Sequence, residues 1–507
     1  MRSPHLTRTV VLVAALALLV MPALAQDELW RFEGSLDQLA GVSVSGAGDV
    51  NADGFDDVIA GASNDSTYGS SSGKATVFSG RDGSILFEFF GSAASAFLGA
   101  SVSGAGDVNG DGFADVIVGA PGDYRARDPL GTAIVFSGRD GMPLYTFVDL
   151  TGAEQFGYSV AGAGDVNGDQ FADVLVGAPR RAGLAGGASV FSGHDGSVLH
   201  EFIGEYPLDY VGRAVSAAGD IDGDGLDDVL LGSGGGYAEV RSGADGSLTY
   251  SSRRGFPDDL YGIAVGTMGD ITWDGIPEVL IGAPGTDLGR GAVYVLSGRR
   301  GELLYLLEGP DDGAGLGTSV TGADDMNGDG RPDWAAGAPR ALVDGETRGA
   351  VFAFSAVNAW LIYAWWGEGV EAFGYSLKGV GDANGDGLGD LVVGAPFAGG
   401  RMGRVSVFTG NDLFLQAQPA QVDPGDLLEL ITRHNLSGLP AALFVTAVDG
   451  VPTFRPFVFG QFDYTWQFIF SAIVPPGLAG RSFSFRSLTV DWRGDLRDSS
   501  DAEVTFR

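Results

Sequence analysis

The sequence predicts an all-β chain: a seven-bladed β-propeller followed by a small C-terminal β-sandwich-like domain. Three observations carry this prediction: a recurring acidic segment, the short β-rich runs around it, and one spare copy of a repeat-ending strand near the N-terminus. The segment is plainest from Asp107 to Pro121, Asp-Val-Asn-Gly-Asp-Gly-Phe-Ala-Asp-Val-Ile-Val-Gly-Ala-Pro. Matching starts fall at Asp49, Asp107, Asp165, Asp220, Asp270, Asp325 and Asp382, separated by 58, 58, 55, 50, 55 and 57 residues. Seven copies at a near-constant period mark a repeat architecture.

Taken in order, residues 1–25 read as a secretory signal: Arg2 and Arg8, an apolar run from Val10 to Val20, and the small-residue site Ala23-Leu24-Ala25. The apolar run is shorter than the ~20 residues a spanning helix needs, so secretion to the extracellular space or cell surface (or to a periplasm) is expected, with no membrane insertion after cleavage. Residues 26–412 are assigned to the propeller. Glu28-Leu-Trp-Arg-Phe-Glu-Gly34 resembles segments that end later repeats, such as Ile85–Gly91 and Leu303–Gly309. Placed before the first repeat, it suits a strand that completes the last blade and closes a ring.

Each repeat then offers four strands. The first precedes the acidic loop (Phe156–Gly164), the second follows it (Asp173–Pro179), and the third is a run such as Ala133–Ser137. A turn of the type Gly138-Arg-Asp-Gly141 leads into the fourth, aromatic-rich strand, and Asp-Gly between short β-rich runs is a hairpin signal. Four antiparallel strands repeated seven times fit a propeller, in which radial repetition leaves only short sheet edges. Residues 416–507 lack the acidic loop. Their β-rich runs (427–432, 442–448, 468–474 and 482–490), separated by Pro and Gly, suggest a small β-sandwich.

Composition narrows the chemistry. There is no cysteine, so disulfides do not hold this chain together. A net charge of −35 argues against nucleic acid or anionic membrane as partner. Much of that charge is local, because 22 of the 65 acidic side chains occupy candidate ligand positions in the seven loops. In each loop, oxygen-bearing side chains at positions 1, 3 and 5, a glycine at 6, a backbone carbonyl at 7 and a carboxylate at 9 would enclose one hard cation such as calcium. An EF-hand opens similarly but uses Glu at position 12 between helices, whereas these loops run into strand-like Val-Ile-Val-Gly-Ala-Pro.

The Phe-Gly elements (Phe97 to Gly99, Phe156-Gly157, Phe373-Gly374), the acidic loop and Gly-Ala-Pro together resemble FG-GAP repeats. These build the seven-bladed propeller of integrin α chains and of many bacterial exported proteins. The resemblance covers about residues 27–412 and implies calcium in the loop between the first two strands of a blade, on the face opposite the usual ligand-binding face. Carried over by position, it implies ligands at Asp49, Asn51, Asp53, Phe55 (carbonyl) and Asp57, and at Asp107, Asn109, Asp111, Phe113 (carbonyl) and Asp115. The third loop offers Asp165, Asn167, Asp169, Phe171 (carbonyl) and Asp173, with Gln170 replacing glycine at position 6, where positive φ costs a non-glycine residue about 1 kcal/mol. The fourth offers Asp220, Asp222, Asp224, Leu226 (carbonyl) and Asp228, the sixth Asp325, Asn327, Asp329, Arg331 (carbonyl) and Asp333, and the seventh Asp382, Asn384, Asp386, Leu388 (carbonyl) and Asp390. The fifth departs from the pattern with Asp270, Thr272, Asp274 and Glu278, and its occupancy is doubtful. About six mainly structural Ca²⁺ sites are therefore expected.

No catalytic residue is expected. Beyond the signal the histidines are His194, in a surface turn, His200, in an outer strand, and His434. A noncatalytic recognition or adhesion protein with an extracellular protein or polysaccharide ligand is the leading reading; a structural matrix component without specific ligand, or a secreted propeller enzyme, are the alternatives. Loops joining second to third and fourth to first strands, including Gly204–Tyr210 and Phe256–Tyr261, are the places to seek a ligand. Inter-blade packing is the competing role for their aromatic residues.

Overall fold

The computed structural model describes residues 28–410, apart from 124–129, 149–153, 255, 344, 357, 358 and 360, and four short strands beyond residue 480. The proposed signal segment and the β-rich runs 427–432, 442–448 and 468–474 lie outside the described residues. Two units are distinguished, 1–412 and 413–507. In the second, Ser482–Phe485 pairs antiparallel with Ala502–Thr505, and Leu488–Val490 with Leu496–Asp498.

The first unit holds seven four-stranded antiparallel sheets. Blade one is Ser43–Gly48, Asp57–Ala62, Lys74–Phe78 and Ile85–Phe90, and the next five blades repeat this meander in chain order. In blade six a two-stranded hairpin (Leu342–Val343 with Glu346–Thr347) is inserted between second and third strands. Blade seven takes its outer strand from the start of the chain. Glu28–Glu33 pairs with Arg404–Phe408, Trp30 lying opposite Val407. Trp30 also donates its indole N–H to the Gly80 carbonyl at 2.8 Å, tying the closing strand to blade one.

Strand composition follows position in the blade. Second strands such as Asp115–Ala120 are buried along their whole length, since a neighbouring blade covers each face, and they read as unbroken apolar runs. Fourth strands such as Ile85–Phe90 are half exposed. First strands converge on the axis, each beside the first strands of both neighbours, and are built of Ser, Ala, Val and Gly, as in Ser101–Gly106.

Blade spacing is set by glycine. The glycine of each Phe-Gly element donates its N–H to the carbonyl of the Gly-Ala-Pro glycine in its own blade, as Gly99 does to Gly119 at 2.9 Å. Its carbonyl meanwhile lies against the corresponding glycine of the preceding blade. A Cβ on Gly61 would stand 1.9 Å from the Gly99 oxygen, and the same clash appears at Gly119–Gly157 (2.1 Å), Gly177–Gly212 (2.2 Å), Gly232–Gly262 (2.2 Å), Gly282–Gly317 (2.0 Å), Gly337–Gly374 (2.0 Å) and Gly394–Gly41 (2.1 Å). The last of these closes the ring. Both signature glycines are thus two halves of one inter-blade contact.

Gly119→Ala is expected to force blades two and three apart, costing about 1–3 kcal/mol as overpacking does. Gly369→Ala, with no atom within 4 Å of the added carbon, is the matched control and should stay within about 0.5 kcal/mol of wild type. Thermal and urea melts of the two variants check the contrast.

Candidate metal centres

The seven acidic loops join first to second strands and share one rim with the turns joining third to fourth strands. Loop two shows the local construction. Asp107 Oδ1 accepts the N–H groups of Gly110 (2.7 Å) and Asp111 (3.0 Å), and its Oδ2 that of Gly112 (2.9 Å). Asn109 Oδ1 shares the Asp111 N–H at 2.9 Å, and Asp111 Oδ1 accepts the Phe113 N–H at 3.1 Å. These bonds place the side chains of positions 1, 3 and 5 side by side with their oxygens inward. They recur in loop one at Asp49, Asn51 and Asp53, in loop three at Asp165, Asn167 and Asp169, and in loop four at Asp220, Asp222 and Asp224. Loops six (Asp325, Asn327, Asp329) and seven (Asp382, Asn384, Asp386) repeat them. In loop four, where position 3 is also acidic, carboxylate oxygens of Asp220, Asp222 and Asp224 all lie within 4.8 Å of one another.

Position 9 has a task that the sequence pattern did not reveal. Asp115 is fully buried; its Oδ2 accepts the Val108 N–H and its Oδ1 the Gly138 N–H, both at 2.9 Å. The carboxylate therefore clamps its own loop to the turn after the third strand. Asp57, Asp173, Asp228 and Asp390 hold Gly80, Gly193, Gly243 and Gly410 in the same way, and Asp333 holds Ala356. The Ser-Gly that leaves each of the first five third strands, as in Ser137-Gly138, was the available signal.

Position 4 was also missed. Gly110 (φ 73°) is left-handed like Gly112 at position 6 (φ 87°), and Ala52 (φ 58°) and Trp273 (φ 64°) adopt that conformation at position 4 without glycine's freedom. Gln170 does so at position 6 (φ 73°), so loop three keeps its turn despite the substitution. At position 7, Phe55 and Phe113 lie under the Arg81 and Arg139 guanidinium groups, 5.2 and 5.9 Å from their ring centres. Phe171 contacts His194 at 4.7 Å instead, and His200 Nε2 meets the Gly243 carbonyl at 2.5 Å, so both histidines are engaged in blade packing.

Loop five keeps the turn with a poorer donor set. Asp270 accepts the N–H groups of Trp273 (2.6 Å) and Gly275 (2.7 Å), and Asp274 Oδ1 that of Ile276 (3.1 Å). The longer Glu278 reaches the Ile271 N–H with Oε2 (2.8 Å), while its buried Oε1 has no partner among the described residues. Arg299 stands 3.9 Å from Asp274, supplying positive charge of its own.

The donor chemistry fits a hard divalent cation: carboxylates, amide oxygens and carbonyls, with no nitrogen or sulfur ligand at the candidate positions. The electrostatics point the same way. Burial, with the neighbouring loop carboxylates adding to it, pushes the carboxyl groups of Asp57, Asp115, Asp173 and Asp228 up to about 6, despite the backbone N–H groups that favour their ionised forms. Asp390 rises to about 7 and Asp333 to about 8, again chiefly by burial. A bound cation would relieve that repulsion.

Folded-state values above the unfolded one of 3.8 mean that the metal-free fold binds more protons than the unfolded chain. The stabilisation is complete below the unfolded value and is lost as pH rises through about 6 to 8. In chelator, the urea midpoint is expected to fall between pH 5 and pH 8, and Asp333→Asn should flatten the upper part of that decline. Saturating calcium should abolish the decline.

Comparison with known proteins bears on loops two, three, four, five and seven. The FG-GAP repeat model matches residues 98–136, 156–197 and 373–408, and the FG-GAP-like repeat model matches 220–281. Integrin alpha-4 of Xenopus laevis is 33% identical over 163 residues, covering 30% of this chain and 16% of that protein. Integrin alpha-8 of Gallus gallus is 27% identical over 314 residues, covering 56% of this chain and 25% of that protein. Integrin alpha-PS5 of Drosophila melanogaster is 38% identical over 149 residues, covering 27% and 14%. The chain spans a quarter or less of the length of these relatives. It is a seven-bladed propeller that carries FG-GAP repeats and is homologous, over part of its length, to integrin α chains.

Proposed function

We propose that this protein is a noncatalytic, calcium-braced recognition protein that acts outside the cell. Six loops hold calcium through the side chains at positions 1, 3, 5 and 9 and the carbonyl at position 7, while the opposite rim meets an extracellular protein or polysaccharide. The homology to integrin α chains supports an adhesion- or recognition-type role. The proposed anchoring of function away from the metal also suits the loops themselves, which recur in every blade and are tied down by their own backbone rather than opened toward a substrate.

The observation that carries the reading is the division of labour between the rims. The metal-loop rim carries the internally hydrogen-bonded acidic loops and exposes Met142 and Trp273, whereas loops of the other rim expose a larger set of large apolar side chains, among them Tyr68 (65%), Tyr206 (57%), Leu208 (58%), Phe256 (76%) and Leu288 (82%). Among the aromatic residues that the sequence left between contact and packing, Tyr206 and Phe256 face solvent. Tyr261 is core, its hydroxyl 2.8 Å from that of Ser252. The loop carrying Tyr206 is held rigid by Asp209, whose Oδ2 accepts the Tyr206 N–H and the Tyr237 hydroxyl, both at 2.9 Å. Exposed aromatics on a rigid loop suit contact with a partner at low entropic cost. Among the described residues, no helix is long and apolar enough to cross a membrane.

Binding of the purified protein to arrays of extracellular proteins and polysaccharides tests this reading. Saturable binding to one class is expected, weakened at least tenfold by the double change Tyr206→Ala and Phe256→Ala and left intact by Asp82→Asn on the metal rim. No binding by a calcium-loaded, folded protein would favour a structural component without specific ligand.

A further inference from the structure

The acidic loops are bonded to one another, at a position the ligand pattern does not use. Position 8 lies between the carbonyl ligand at 7 and the carboxylate at 9. Its backbone N–H donates to the carbonyl of the first ligand in the preceding loop: Ala114 to Asp49, Ala172 to Asp107 and Asp227 to Asp165, each at 3.2 Å, and Gly389 to Asp325 at 2.9 Å. Two position-8 side chains add a contact of their own: Asp227 Oδ2 accepts the Asp165 N–H at 2.9 Å, and the Asp56 carboxylate packs over Gly381, directly before Asp382.

The contact is shaped on both sides. The position-8 side chain lies over the residue just before the preceding loop, which is glycine at Gly48, Gly106, Gly164 and Gly381. Between loops six and seven the sizes are exchanged, Asp324 standing before the loop and glycine, Gly389, at position 8. Following these links around the rim gives one run: six, seven, one, two, three, four. Loop five is left out on both sides. Position 8 is Pro277 in loop five and Pro332 in loop six, and proline has no N–H to donate; their rings simply rest over Gly219 and Gly269. The loop with the departing ligand set is thus the one outside the chain of links.

We propose that the six loops of this run bind calcium cooperatively, with Asp56 and Asp227 as positioning residues for the first ligands Asp382 and Asp165, and that loop five is uncoupled. The inference rests on the calcium reading of the loops. A cation held by the position-7 carbonyl and the position-9 carboxylate fixes the residue between them. That residue holds the first ligand of the neighbouring loop in place, so one filled site lowers the ordering cost of the next, and the effect is reciprocal.

Calorimetric calcium titration of the full chain tests it, using wild type, Ala114→Pro and Asp227→Ala. Blades five and six carry proline, and blades two and three alanine, at position 8, so both variants use residues this rim already accommodates. Wild type is expected to show a Hill coefficient above 1. Ala114→Pro should cut the run between loops one and two, lowering that coefficient and weakening part of the sites about fivefold; Asp227→Ala should weaken loop three similarly. Isotherms of both variants superimposable on wild type, with calcium still bound, would overturn the coupling alone. Absence of calcium binding by the folded wild type would overturn the coupling and the calcium reading together.

Discussion

The structure depends on a backbone contact between two glycines, repeated at all seven blade interfaces. Because the Phe-Gly carbonyl of one blade touches the Gly-Ala-Pro glycine of the blade before it, neighbouring sheets approach more closely than any Cβ would allow. That spacing brings the first strands together around the axis and makes small residues necessary there. It also stacks the apolar second and third strands of adjacent blades into separate inter-blade cores, such as the cluster of Ile59, Val77, Leu98, Val116 and Phe136. Closure needs no covalent link. The seventh interface repeats the same contact between Gly394 and Gly41, and the N-terminal strand completes the sheet beside it.

Spacing that close carries an electrostatic consequence on one rim. Each first hairpin ends in an acidic loop, and in six of the seven the last carboxylate is buried and holds the turn after the third strand. Loops of adjacent blades are near enough to hydrogen-bond. Seven such loops on a cysteine-free chain with a net charge of −35 form a self-repelling belt, and neighbouring carboxylates add to the burial that raises the carboxyl groups of Asp333 and Asp390. Divalent cations at the belt would turn a destabilising concentration of charge into a brace, stabilising the folded form by mass action.

Much of this was legible in the sequence because it is repeated. The blade count, the order of strands within a blade, the starts of the acidic loops and the closing strand at Glu28–Glu33 all follow from period and from one misplaced segment. What escaped was contact between residues far apart in the chain. The clamp from Asp115 to Gly138 joins residues 23 apart, with the Ser-Gly after the third strand as its trace, and the link from Ala114 to Asp49 crosses a blade boundary. Likewise, Phe256 and Tyr261 lie in one short loop and only tertiary packing makes one exposed and the other core. Alanine at position 4 of loop one concealed a left-handed residue that five other loops mark with glycine, such as Gly110.

Native mass spectrometry of the folded chain, exchanged from calcium into volatile buffer, tests the calcium-braced ring most directly by counting bound ions. Six calcium ions per chain are expected, with loop five left out. A folded, compact chain that carries no calcium under these conditions would contradict the brace and leave closure to the glycine contacts and the N-terminal strand.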